Sequence, residues 1–245
     1  MQTKLFLLFL FCCSLIFAQK KQSPFNGELL FTAKRIIPAD SAKENVLIYA
    51  KDSLLKVINF SSHMGKQELI KHLTKEKSYL LLETTKGKFA IKTDYSKAQD
   101  TSLQYSFTKK MGSKKINGKK AKKLEVKFND IDKKFTFYYY KDIPAKYGSA
   151  YTSFPGLVVQ YVIPTDHGVY EYVLTELKQT SPPLTLFMIP ESHKRVTLDE
   201  FMDVMTKPWP VFNTYLCKEL LTPQHIFEPF VYFRILTENA RQRIH

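Results

Sequence analysis

Apolar and polar residues alternate along most of the chain between Phe25 and Leu186, the period-two pattern of half-buried β-strands. Asn26–Arg35 alternates and breaks at Pro38-Ala39-Asp40, a cluster of turn formers. Val46–Tyr49 and Leu54–Phe60 flank Lys51-Asp52-Ser53, and Gln67–Leu73 and Ser78–Glu83 pair across Lys75-Glu76-Lys77. Phe89–Thr93 follows the Lys86-Gly87 turn. Asn117-Gly118 is the strongest hairpin signal, because a tight primed turn needs positive φ at both central positions. Leu124–Phe128 and Lys134–Tyr140 follow across Asn129-Asp130, and Leu157–Ile163 and Val169–Leu177 are joined by a loop at 164–168. Strands at roughly ten-residue spacing with few helical stretches predict a mainly β protein built on a large, strongly curved antiparallel sheet.

One helix is signalled within this pattern. Thr197 is placed to cap it, and Glu200 three residues later completes a capping box. Leu198, Phe201, Met202 and Met205 then fall on one face at helical spacing, and Pro208 and Pro210 stop the helix. Such a helix is expected to cover the apolar face of the sheet.

Both ends of the chain depart from the alternation. Met1–Lys4 is a short positive start, Leu5–Phe17 is an apolar run broken only by Ser14, and Ala18 precedes Gln19, Lys20 and Lys21. These are the parts of a secretory signal peptide, expected at 1–18. The run is too short for a permanent bilayer span, so no transmembrane segment is expected after cleavage. The mature protein is expected in the periplasm or cell envelope, or secreted, away from nucleic acid and most cofactors. Cys12 and Cys13 leave with the signal, and Cys217 stays as a single thiol, so no intrachain disulfide is expected. The bulky Phe9, Leu10 and Phe11 before Cys12 disfavour lipid attachment there. The main domain is expected at 19–207. Residues 208–245 hold four prolines, Trp209 and three of the five arginines. They read as an arm folded over the domain, as a disordered tail, or as an extension foreign to it.

The formal net charge of +14 comes almost wholly from lysine. Lysine is a solvated point charge without the planar fork that grips phosphate bidentately. Eight lysines lie between Lys109 and Lys123, and as a hairpin they would form a cationic edge. One reading is a solvated edge that resists aggregation. The sharper reading is a cell-envelope interaction module in which the hairpin binds a protein partner or an anionic surface, with Lys114, Lys115, Lys119 and Lys120 as the contact residues. Without interleaved aromatic or arginine residues, this run does not have the pattern of a nucleic-acid site.

Candidate chemistry is sparse. No His pairs with Cys, His or carboxylate at zinc spacing, and no Gly-x-Ser-x-Gly elbow occurs. Asp199, Glu200 and Asp203 crowd the start of the helix, where the dipole favours them without any active site. No catalytic, metal or cofactor residue is therefore assigned, and a non-enzymatic role is expected. The richest aromatic patch is Phe135, Phe137, Tyr138, Tyr139 and Tyr140. On a strand Phe135, Phe137 and Tyr139 share a face, to serve either as ordinary core or as the lining of an apolar pocket under Phe201 and Met205 of the helix.

Four short motifs carry a family likeness. These are Phe25-Asn26-Gly27-Glu28 soon after the signal, the step Lys115-Ile116-Asn117-Gly118 into a lysine-rich strand, Phe154-Pro155-Gly156-Leu157-Val158-Val159, and Phe187-Met188-Ile189-Pro190 before the capped helix. On these the chain resembles the exported, uncharacterised Bacteroidetes proteins of the GLPGLI type, similar in shape to the outer-membrane lipoprotein carriers LolA and LolB. The likeness covers about Phe25 to Met205. It implies a half-barrel with helix cover over an apolar concavity, and hence a lipid or lipoprotein acyl chain as ligand. The Pro155-Gly156 turn is expected to need glycine for its φ.

Overall fold

The alternation becomes strands almost where the apolar positions place them. The computed structural model describes residues 24–61, 65–93, 104–148, 150–165 and 168–206. The expected signal segment, the arm at 208–245 with Cys217, and the Asp166-His167 loop tip lie outside the described residues. The strands are β1 (Gly27–Ile37), β2 (Ala39–Lys51), β3 (Leu54–Ser61), β4 (Gly65–His72), β5 (Lys77–Thr84), β6 (Gly87–Thr93), β7 (Tyr105–Ile116), β8 (Lys119–Phe128), β9 (Lys134–Tyr140), β10 (Leu157–Thr165), β11 (Gly168–Lys178) and β12 (Lys194–Val196), followed by helix α1 (Leu198–Thr206).

All twelve strands join one open sheet in the order β12-β6-β5-β4-β3-β2-β1-β11-β10-β9-β8-β7. The fold is thus mainly β, and every pairing is antiparallel except β12 beside β6. Register aligns one apolar row across seven strands: Leu29, Ile48, Val57, Leu69, Leu80, Ile91 and Val196. Each of these is nearly or fully buried. The same face continues through Phe31 and Leu174 to Tyr172 and Tyr161 and on to Phe137 and Leu124. We call this side, which carries the main core, the inner face.

The Asn117-Gly118 turn has φ of 47° and 71°, as the primed hairpin requires. Gly156 obeys a different constraint from the one expected. It is not among the residues with positive φ. Instead, a Cβ there would lie 2.9 Å from the carbonyl carbon of Tyr140 and 3.1 Å from Lys141 Cα, and closer still to the Tyr140 oxygen. Glycine lets the chain approach the end of β9 where β10 begins, with Leu157 opposite Tyr140; from Gln160 onward β10 pairs with β11.

After β11 the chain crosses the outer face as a strap. Lys51 donates to the Pro182 carbonyl at 2.8 Å, and Ile189 packs on Ile70, Leu81 and Ala90 of β4, β5 and β6. The strap then turns the sheet edge as β12 and reaches the inner face as α1, where Phe201 meets Phe89 edge to face at 5.3 Å. The capping box forms as expected: the Glu200 carboxylate accepts from Thr197 N–H at 2.7 Å, and Glu200 N–H donates to Thr197 Oγ1 at 3.2 Å. At the far end Lys86 donates to the Val204 and Met205 carbonyls at 2.8 and 3.0 Å, satisfying acceptors that a helix leaves without partners.

Candidate ligand-binding face

Polar side chains interrupt the inner face over β3–β6. Val46, Asn59 and Gln67 stand opposite one another on β2, β3 and β4, and Asn59 and Gln67 are 0% and 3% exposed. Two residues further along each strand comes the apolar row of Val57, Leu69, Leu80 and Ile91. Beyond it lies a second polar row of Lys71, Ser78 and Thr93 on β4, β5 and β6, all buried. Gln67 and Lys71 stand four residues apart on one strand, about 14 Å at an antiparallel rise. The result is an apolar band flanked by two polar lines.

The electrostatics of this face follow from its burial. Desolvation alone pushes the Lys71 ammonium down to about 7, because a charge withdrawn from water favours its neutral form. The hydroxyls of Ser78 and Thr93 share a short hydrogen bond. The Asn59 amide is the exception: its nitrogen and oxygen are both buried without a hydrogen-bond partner. A donor and an acceptor left unsatisfied together are costly, and a buried polar group of this kind calls for an explanation.

On the outer face the least exposed charges, Lys56 and Glu68, are paired. Glu68 accepts from Lys56 at 2.6 Å and also from Lys66, with Lys56 and Glu68 side chains 10% and 15% exposed. Burial works against the Glu68 carboxylate, but these two lysine hydrogen bonds outweigh it and hold its pKa below the usual range.

Phe135, Phe137 and Tyr139 all occupy the inner face of β9, 6%, 0% and 4% exposed. Their neighbourhood is a packed aromatic cluster rather than an open lining. The Phe137 ring lies 5.4 Å from Tyr151, 5.8 Å from Phe154, 6.3 Å from Tyr161 and 6.4 Å from Phe128, distances at which rings pack edge to face. Phe201 and Met205 do not cover them. Phe201 belongs to a separate apolar cluster with Phe89, Ile91 and Val196, and Met205 is half-buried on the same helix. The expected lid is therefore corrected: α1 covers β6, because β12 draws it to the opposite end of the sheet from β9. The polar rows over β3–β6 were not foreseen. Their only sequence signal is the parity that puts Asn59 with Val57 and Gln67 with Leu69.

The four expected lysines divide into two pairs. Lys114 donates to Gln160 at 3.1 Å and lies 5.6 Å from the Tyr138 ring centre. Lys119 pairs with Asp142 and lies 5.3 Å from the Tyr140 ring. Lys115 and Lys120 stand exposed and opposite each other. The hairpin is pinned rather than free: Asn117 donates to the Leu174 carbonyl at 2.9 Å, and the Tyr140 hydroxyl donates to the Ile116 carbonyl. Burial, with a smaller effect of Asp142, pushes the Tyr140 phenol up to about 12, so it stays a donor.

Among the described residues no helix is long and apolar enough to cross a membrane, and no group of three or more His, Cys, Asp or Glu could hold a metal. The class these features define is a mainly β protein on an open sheet. No family model matches the chain, and no curated protein matches it. Among solved structures the chain is similar to PNGF-II, solved in space group C2, at 12% identity and a TM-score of 0.46. That similarity covers 74% of this chain and 33% of that one, so the chain spans about a third of its length.

Proposed function

We propose that this is an exported, non-enzymatic binding protein that holds an amphiphile, such as a lipid or lipoprotein acyl chain, on the inner face over β3–β6. In this reading the sheet acts as a half-barrel of the kind the GLPGLI-type resemblance implies. The ligand lies over β3–β6 rather than against the aromatic cluster of β9. The acyl chain runs along the band of Val57, Leu69 and Leu80, and the polar head meets the flanking side chains.

The observation that carries the reading is the Asn59 amide, buried with neither polar atom hydrogen-bonded beside an apolar row that is itself buried. An amide or hydroxyl head supplies both the acceptor and the donor that Asn59 lacks, and an ester supplies the acceptor. The test is native mass spectrometry of the purified protein, with displacement of a fluorescent fatty acid as the second readout. Expected are a co-purifying acyl lipid at one per chain, and weaker probe binding in Asn59→Val by about three- to tenfold, the value of one neutral hydrogen bond. Absence of lipid together with no probe binding by the wild-type chain overturns the proposal.

A further inference from the structure

The β7–β8 hairpin carries a second surface. Pairing sets Lys115 opposite Lys120, Ser113 opposite Lys122 and Lys109 opposite Leu124. Side chains directly across an antiparallel ladder share a face, so Lys109, Lys115, Lys120 and Lys122 all project from one side of the ribbon. That side continues the inner face: further along β8 it becomes Leu124, Val126 and Phe128, all buried.

These four lysines differ from their neighbours in compensation. On the opposite side Lys110 and Lys134 pair with Glu125 at 3.4 and 3.1 Å, and Lys114 rests on Tyr138 and Gln160. Lys109, Lys115, Lys120 and Lys122 are exposed and make no ion pair among the described residues. Like charges directly opposite destabilise a ladder, so folding alone gains nothing from Lys115 facing Lys120. Between these lysines β7 shifts register at Lys109/Ser113, with Gly112 at φ 110°. Met111 beside it is 98% exposed, the most exposed large apolar side chain among the described residues.

We infer that this lysine face docks on an anionic bilayer surface, with Met111 entering the headgroup layer. Cations beside an exposed apolar side chain suit a membrane interface, where charge attracts and apolar area inserts. A soluble polyanion would use the charge but leave Met111 in water. Docking there would bring the rim of the inner face to the membrane. The inference stands on the charge pattern of the hairpin, and it does not require the amphiphile reading.

The test is co-sedimentation with vesicles of phosphatidylcholine alone or with one-third phosphatidylglycerol, at low and high salt. Binding is expected only to the anionic vesicles and is expected to fall as salt rises. Replacing Lys109, Lys115, Lys120 and Lys122 with Gln should weaken it by roughly several hundredfold, at about fivefold per lysine near such a surface. Replacing the exposed Lys43, Lys75, Lys77 and Lys92 instead removes equal charge and should cost less than tenfold. Met111→Ser should weaken binding severalfold with no change in its salt dependence. Circular dichroism confirms that the variants are folded. Equal losses in the two quadruple variants, or equal binding to both vesicle types, overturns the inference. Capture by heparin without vesicle binding overturns it too, and points to a soluble polyanion.

Discussion

Replacing Asn59 with valine tests whether its buried amide is a burden on the folded chain. Asn59 is 0% exposed, and both polar atoms of its side chain lack partners. Its neighbours across the ladder are Val46 and Gln67. Leaving a buried polar group unsatisfied costs about 1–3 kcal/mol, and valine removes both such atoms while suiting a strand. The added methyl bulk meets a packed surface, which can return about 1 kcal/mol or more of strain. The net expectation is a gain of about 2 kcal/mol in the ligand-free protein. For a domain of this size that is about 4–8 °C in melting temperature. Urea unfolding of delipidated wild type and variant, with equal m-values, measures it. A variant equal to or less stable than wild type refutes the reasoning, since the amide would then be satisfied in the folded state. Opposite signs in stability and in lipid binding are the mark of a residue kept for its ligand.

Two further perturbations test the frame around that face. Glu68→Gln leaves Lys56, with a side chain only 10% exposed, without its carboxylate. A fully buried broken pair costs 3–5 kcal/mol, and the exposure here reduces that to about 2 kcal/mol at pH 7. Because the folded pKa of Glu68 is depressed, its contribution is complete above the unfolded value near 4.5 and is lost as pH falls through the folded value. Wild type and variant should therefore converge in stability once pH falls below the depressed folded value; a gap independent of pH counts against the ion pair. Gly156→Ala presses a methyl group into the Tyr140 and Lys141 backbone. A loss of about 3 kcal/mol or more in chemical denaturation is expected, since backbone yields less than side chains do, and a loss under 1 kcal/mol shows that β9 and β10 can separate there at little cost.

The strands were legible because alternation and turn residues agree at nearly every junction. The capping box was legible because Thr197 and Glu200 meet within one helical turn, as their hydrogen bonds show. What sequence could not supply was pairing at long range. Lys194-Arg195-Val196 has no alternation to read, yet it pairs parallel with Phe89-Ala90-Ile91 about a hundred residues away. That single pairing moves α1 from the aromatic end to β6. The polar rows were hidden for a related reason. In β3 both faces are buried, so Asn59 between Ile58 and Phe60 reads as a solvent position until register sets it beside Gln67. The division of the lysines needed register as well, because Lys114 and Lys115 are equivalent in sequence and opposite in space.

The two edges of the sheet end differently. At one, a three-residue strand and the helix after it close the ladder, leaving little backbone for another chain to join. At the other, the twelve-residue β7 has a neighbour on one side only among the described residues, and repulsion between its lysines and those of a second copy opposes strand addition. Any condition that screens those charges, whether concentrated salt or a bound polyanion, also lowers the barrier to joining two sheets. Among the described residues strand addition is therefore open at β7 alone, and two copies joined there would make a closed pair rather than a fibre.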